Sequence, residues 1–168
     1  MKTHPRHRFP AKSVLVMPLL GLITGLAWYF HMQRAEAPSP HTLRPDDAAL
    51  VARGSAIYAQ HCAACHGVRG EGQPSWRDRG PNGLLPAPPH DASGHTWHHP
   101  DAQLFDITRR GMAAVIQQPG YPSAMPAYQG VLSDADIVAV LSYIKAQWPP
   151  ELRAHHDQVN AQARSAGR

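Results

Sequence analysis

The chain has 168 residues and a formal net charge of +4, with 16 Lys and Arg, 12 Asp and Glu, 12 His and 2 Cys, a length that allows one domain plus a short extension. The charge is uneven: Lys2, Arg6, Arg8, Lys12 and Arg34 all precede the first acid, leaving eleven cations against twelve acids in the remainder. The basicity is therefore a topology signal, and no basic face argues for nucleic acid.

Residues 1–12 carry four of those cations, and residues 13–30 run from Ser13 to Phe30 without a charge. As a helix that run spans about 27 Å, just short of a hydrocarbon core, and His31 and Met32 extend it. Trp28 and Tyr29 fall where an interfacial aromatic belt would lie. Residues 1–32 thus read as a cytoplasmic basic tip and a transmembrane anchor. Ala35-Glu36-Ala37 resembles a signal-peptide cleavage site, but Pro38 would follow the cut, Arg34 lies inside the cleavage region and the apolar run is longer than most signal cores. Cleaved or retained, the segment sends residue 33 onward across the membrane. Residues 33–45 are polar with three prolines and predict a semi-rigid linker reaching about 40 Å.

A first helix is expected from an Asp46 or Asp47 cap to about His61, with Leu50, Ile57 and Tyr58 among its apolar positions. Gly54 and Tyr58, four apart, share a face suited either to a close helix crossing or to a tolerated weak spot. The helix delivers Cys62-Ala63-Ala64-Cys65-His66, two thiols separated by two residues and followed by an imidazole, which is the attachment signature of a covalent c-type haem. On a helical turn that spacing points both sulfurs to one side, where they can add to the two vinyl groups, and His66 is held where it can ligate the iron. A structural disulfide, a thioredoxin-like redox pair and half a zinc site compete for the same residues. Zinc needs further soft ligands and no other cysteine exists, while a redox pair belongs beside a βαβ pattern that is absent from the sequence.

From Gly67 to Asp91, ten glycines and prolines exclude regular structure. Loops of this length imply a function or a ligand, and a haem edge would supply the core the loop lacks. A middle helix follows, with Pro100 near its first turn, Leu104, Phe105 and Ile107 inside and Gly111 as terminator. Beyond Met32 the chain has only Met112 and Met125. Met125 precedes Pro126 in an irregular stretch and is the candidate second axial ligand, whereas Met112 reads as a gap-filling core residue. A last helix opens at Ser133 with Asp136 three residues on, carries Ile137, Val140, Leu141 and Ile144 at helical spacing, and is stopped by Pro149-Pro150. The domain is expected over residues 46–148, followed by a polar C-terminal tail, 149–168, as a surface helix or disordered.

Cys62-Ala63-Ala64-Cys65-His66-Gly67, the Pro-rich loop, Met125-Pro126-Ala127-Tyr128 and a closing helix with Tyr143 together resemble the class I c-type cytochromes over about residues 46–148. The histidine-rich stretch from His90 to Asp101 resembles a branch of membrane-associated bacterial monohaem cytochromes. The resemblance implies an all-α cytochrome c fold of three to four helices around one covalent haem c, here with an N-terminal transmembrane helix. It implies a helix crossing near Gly54, Tyr58 and Tyr143, and a proline carbonyl accepting the His66 hydrogen bond, for which Pro81 and Pro86 are equally placed.

The expected function is one-electron transfer, with Cys62 and Cys65 as haem thioethers and His66 and Met125 as axial iron ligands, so no catalytic residue is required. The expected location is the bacterial inner membrane, single-pass, with the haem domain in the periplasm. Expected partners are a redox donor and acceptor, such as a respiratory oxidase or dehydrogenase complex. Two rival functions use the same residues. In one, Met125 dissociates and the haem binds a small molecule or peroxide, with His95, His98 or His99 assisting acid-base chemistry. In the other, the chain handles copper through Cys62, Cys65 and the histidine cluster, and His95, His98 and His99 are also candidates for a second metal site.

Overall fold

The computed structural model describes residues 39–166, together with Gly25 and Trp28. The expected tip and anchor, residues 1–32, fall almost wholly outside the described residues, as do residues 33–38 of the linker; the rest of the expected linker is not a free tether, because His41 stacks on Phe105, Leu43 is buried and the Arg44 N–H donates to Ser142 Oγ at 2.9 Å. Among the described residues no helix is long and apolar enough to cross a membrane. The fold is helical, with a single isolated bridge between Gln129 and Leu132 as its only β pairing among those residues.

Helix α1 (Ala48–His61) starts at Asp47, whose carboxylate accepts the Leu50 N–H at 3.0 Å, so of the two expected caps Asp47 is the one used. A single turn, α2 (Ala63–His66), follows and ends at Gly67, whose φ of 81° only glycine adopts freely. Helix α3 (Asp101–Arg110) takes Pro100 as its N-cap and stops at Gly111. The one-turn helix α4 (Met112–Val115) places Met112 at its first position, an element the sequence did not suggest. Helix α5 (Asp134–Ala146) has the full capping box: Ser133 Oγ accepts the Asp136 N–H at 3.2 Å and the Asp136 carboxylate accepts the Ser133 N–H at 3.2 Å.

Helices α1 and α5 cross at Gly54. A Cβ on Gly54 would lie 2.1 Å from the Ala139 carbonyl oxygen and 2.8 Å from Tyr143 Cβ, so the crossing distance requires glycine. Tyr58, one turn on, is buried, leans on Tyr143 with ring centroids 5.4 Å apart, and donates its hydroxyl to the Gly67 carbonyl at 3.0 Å. The core around this crossing consists of Leu104 and Phe105 of α3 and Ile137, Val140, Leu141 and Ile144 of α5, extended by Leu43 and Trp148.

The chain from Pro150 to Ala166, expected to be a polar tail, is a 17-residue helix, α6, with Pro150 at its first position. It is not merely a surface helix. Leu152 packs against the core, and His156 and Asn160 are buried one and two turns later. Asn160 Oδ1 accepts the Asp101 N–H at 2.8 Å and its amide donates to Asp101 Oδ1 at 3.0 Å, while the other carboxylate oxygen of Asp101 accepts the Leu43 N–H at 2.9 Å. Polar residues at four-residue spacing thus form the buried stripe, each with its hydrogen bonds satisfied inside the protein.

Candidate functional site

The loop between α2 and α3 doubles back on itself. The Gly70 carbonyl accepts N–H groups from both His90 (2.8 Å) and Asp91 (3.1 Å), and Gln73 bonds Ala87 through its backbone N–H (2.9 Å) and its side-chain carbonyl (3.0 Å). Pro88-Pro89 is gripped between Gly72 and Gly94: an added Cβ would meet Pro89 N at 2.5 Å on the first and Pro89 O at 2.0 Å on the second. This packing presents the Pro88 carbonyl to His66, whose Nδ1–H donates to it at 2.8 Å. The partner is therefore neither of the two candidates that the resemblance offered, Pro81 and Pro86. Only Ala87 separates Pro86 from Pro88, and the glycine grip on Pro89 favours the Pro88 carbonyl turning inward.

His66 is buried, and burial pushes its imidazole below the ordinary range against the opposing pull of the Pro88 carbonyl. It is therefore neutral near pH 7, with its proton on Nδ1 and its Nε2 lone pair available. His66 lines a cavity of about 560 Å³ that Cys62, Cys65, Met112 and Met125 also line. Leu104, Ile107, Leu132, Val140, Leu141 and Ile144 supply apolar wall, and Gln73, Trp76, Arg77, His95 and His99 add a polar sector.

Cys62 and Cys65 form no disulfide, the first being half-buried and the second exposed. Burial, and secondarily the neighbouring Cys65, push the Cys62 thiol up to about 11. A redox pair needs a depressed thiol pKa, so this environment opposes the thioredoxin-like reading. Among the described residues no group of three or more His, Cys, Asp or Glu is arranged to hold a metal ion. His95 stacks on Trp76 (5.1 Å, 6°), His98 stacks on Trp97 (3.7 Å, 29°), and the His99 carbonyl accepts from His156 Nε2 at 2.9 Å. The His95 and His99 rings meet edge-on at 5.3 Å while His98 lies against Trp97, so the three histidines proposed for a second metal site do not converge on one point.

Met125 sits in the loop after α4, where its N–H donates to Ser123 Oγ at 3.2 Å. Three residues on, Tyr128 anchors that loop: its hydroxyl donates to the His61 carbonyl at 2.6 Å, and its N–H to the Thr108 carbonyl at 3.0 Å. The segment carrying Met125 is thereby tied to the end of α1, one residue before Cys62, and to α3.

Sequence reading missed Pro88, the ring of His90, which stacks on His66, and Trp148, whose Nε1–H donates to the His90 carbonyl at 2.7 Å. A signal for Trp148 existed: it continues the stripe Ile137, Val140, Leu141, Ile144 by four more residues. The stacking of His90 on His66 had none, because the loop between them follows no period.

The cavity combines a broad apolar wall with two thiols, a neutral imidazole, two thioethers and a polar sector in which His95 Nδ1 is buried without a hydrogen-bond partner. Such a lining suits a large flat apolar group with a polar edge. The cytochrome c family matches residues 51–148. The chain belongs to the cytochrome c family. No solved structure matches it. As a cytochrome c, the protein carries covalently bound haem c and is an electron-transfer haem protein. The family match ends at Trp148, so α6 lies beyond it.

Proposed function

We propose that this cytochrome c is a one-electron carrier whose haem is held by thioether bonds from Cys62 and Cys65 and ligated by His66 and Met125. Residues 13–30 would anchor it in the bacterial inner membrane with the haem domain in the periplasm, and a membrane-associated monohaem branch of the family is the nearest description. The observation that carries the reading is His66. Its Nδ1–H is committed to Pro88 at 2.8 Å, and the residue lines the cavity together with both cysteines.

When bound, haem c supplies a couple between ferrous and ferric iron, and histidine with methionine ligation raises its potential. The residues of the chain have simpler tasks. Pro88 keeps the His66 proton on Nδ1 and fixes the tautomer. Tyr128 holds the Met125 loop against α1 and α3, and the aliphatic residues of α3 and α5 exclude water. Two protein ligands leave no open coordination position, so the protein transfers electrons without being an enzyme. Its donor and acceptor are redox proteins, such as a respiratory oxidase or dehydrogenase complex, met through transient contacts.

Met112 lines the same cavity as Met125, so the two are tested side by side. Met125→Ala is expected to abolish the methionine-to-ferric charge-transfer band and let the ferrous protein bind carbon monoxide, while Met112→Ala keeps the band. The reverse pattern would transfer the role to Met112. Carbon monoxide binding by the unaltered ferrous protein would instead support the rival ligand-binding function.

A further inference from the structure

The His90 ring lies face to face with His66, with centroids 3.9 Å apart and planes 18° from parallel. Tyr58 stands edge-on to it at 6.0 Å. The backbone of His90 is pinned on both sides, by its N–H to the Gly70 carbonyl at 2.8 Å and by its carbonyl to the Trp148 indole at 2.7 Å. Its Nδ1 is buried without a hydrogen-bond partner, so it holds His66 through the face of the ring and not through a polar bond.

The angle of a histidine ring about its Cβ–Cγ bond is intrinsically broad. One hydrogen bond, from His66 Nδ1 to Pro88, fixes where a single ring atom points and leaves the ring free to rock about it. A second flat ring in van der Waals contact removes that freedom.

Resting on the reading of His66 as an iron ligand, we infer that His90, clamped by Trp148, is a positioning residue that sets the plane of the His66 imidazole. Trp148 directly precedes the Pro149-Pro150 turn, so the end of α5 and the start of α6 reach the ligand through two contacts. The ligand plane governs g anisotropy in a low-spin ferric haem, and that property is measurable without any partner or activity.

The test uses the purified holoprotein, comparing ferric electron paramagnetic resonance spectra and midpoint potentials of the unaltered chain with those of His90→Ala, His90→Phe and Trp148→Phe. The expected result is a broadened or split g signal and a lower potential in His90→Ala, because the ring rocks and water approaches it. His90→Phe, which restores a flat face, is expected to return both readouts to those of the unaltered protein, and Trp148→Phe to reproduce part of the broadening. Unchanged spectra and potential in His90→Ala would overturn the inference, as would a His90→Phe spectrum as altered as that of His90→Ala. Should His90→Ala yield no holoprotein, the other two variants decide: an unaltered Trp148→Phe spectrum overturns the clamp. If His66 were not a ligand, a His66→Met holoprotein would keep the ferric spectrum of the unaltered chain, which separates that failure from this one.

Discussion

At His156, burial and hydrogen bonding oppose one another. The side chain is fully buried, its Nε2–H donates to the His99 carbonyl at 2.9 Å, and Nδ1 faces the Asn160 amide at 3.4 Å, an arrangement that suits the neutral ring. Burial and then the Lys145 ammonium lower its pKa from 6.5, while Asp101, the His99 carbonyl and Asp157 push the other way. Between the lowered folded value and 6.5 the unfolded chain binds a proton that the folded chain does not, so stability is complete above 6.5 and is lost as pH falls through that window. Urea midpoints are expected to fall between about pH 7 and about pH 5, with a shallower slope in His156→Gln. Equal slopes would show that another group governs the acid limb. Residues of this kind were the least legible in the sequence. Cys62, Cys65 and His66 declare themselves because the chemistry needs them contiguous, whereas His156 reads as an ordinary polar residue until Asp101 and Asn160 are brought beside it.

Helix α1 shows why some elements could be read in full. Asp47, Gly54 and Tyr58 each leave a local mark, as a cap, a missing side chain and an aromatic one turn away, and the family resemblance turned those marks into a crossing with α5. The Arg53 guanidinium also reaches Asp136 across the crossing at 2.7 Å, but an exposed pair of this kind contributes at most about 1 kcal/mol. The constraint is steric, since any Cβ at Gly54 meets the α5 backbone, which cannot bend aside as a flexible side chain could. Gly54→Ala is expected to destabilise the holoprotein by about 1–3 kcal/mol, an overpacking cost read as a lower denaturant midpoint at unchanged m-value. An unchanged midpoint would mean the helices can separate freely. Helix α6 is the contrasting case: its buried stripe of Leu152, His156 and Asn160 has the right period but only one apolar member. A pattern search for hydrophobic residues therefore passes over it.

For the whole molecule, the separation of charge is the main feature. Residues 1–34 hold five cations and no acid, and the remainder carries a net charge of −1. On the proposed topology the basic tip would stay on the cytoplasmic side of the membrane and the nearly neutral head would lie beyond it. Deleting residues 1–32 behind a cleavable export signal is expected to move the haem protein from the alkaline-washed membrane fraction to the soluble periplasmic fraction with its visible spectrum unchanged. Retention in the membrane would mean that the head itself binds there. The helical fold was legible because the attachment motif, the methionine loop and the capped last helix stand in a recognisable order. The cavity wall was not, since it gathers side chains from all of α1 to α5 and from the two long loops, which only the folded chain brings together.

Tyr128 ties these scales together. Its hydroxyl ends on the His61 carbonyl, in the last turn of α1, and the Cys62 N–H that follows is itself bonded to the Tyr58 carbonyl at 2.9 Å. A fluctuation that lifts the Met125 loop far enough to break the tyrosine contact would also loosen the end of α1, so the two segments are expected to exchange as one cooperative unit in native-state hydrogen exchange. The two sides of the haem would then open together or not at all.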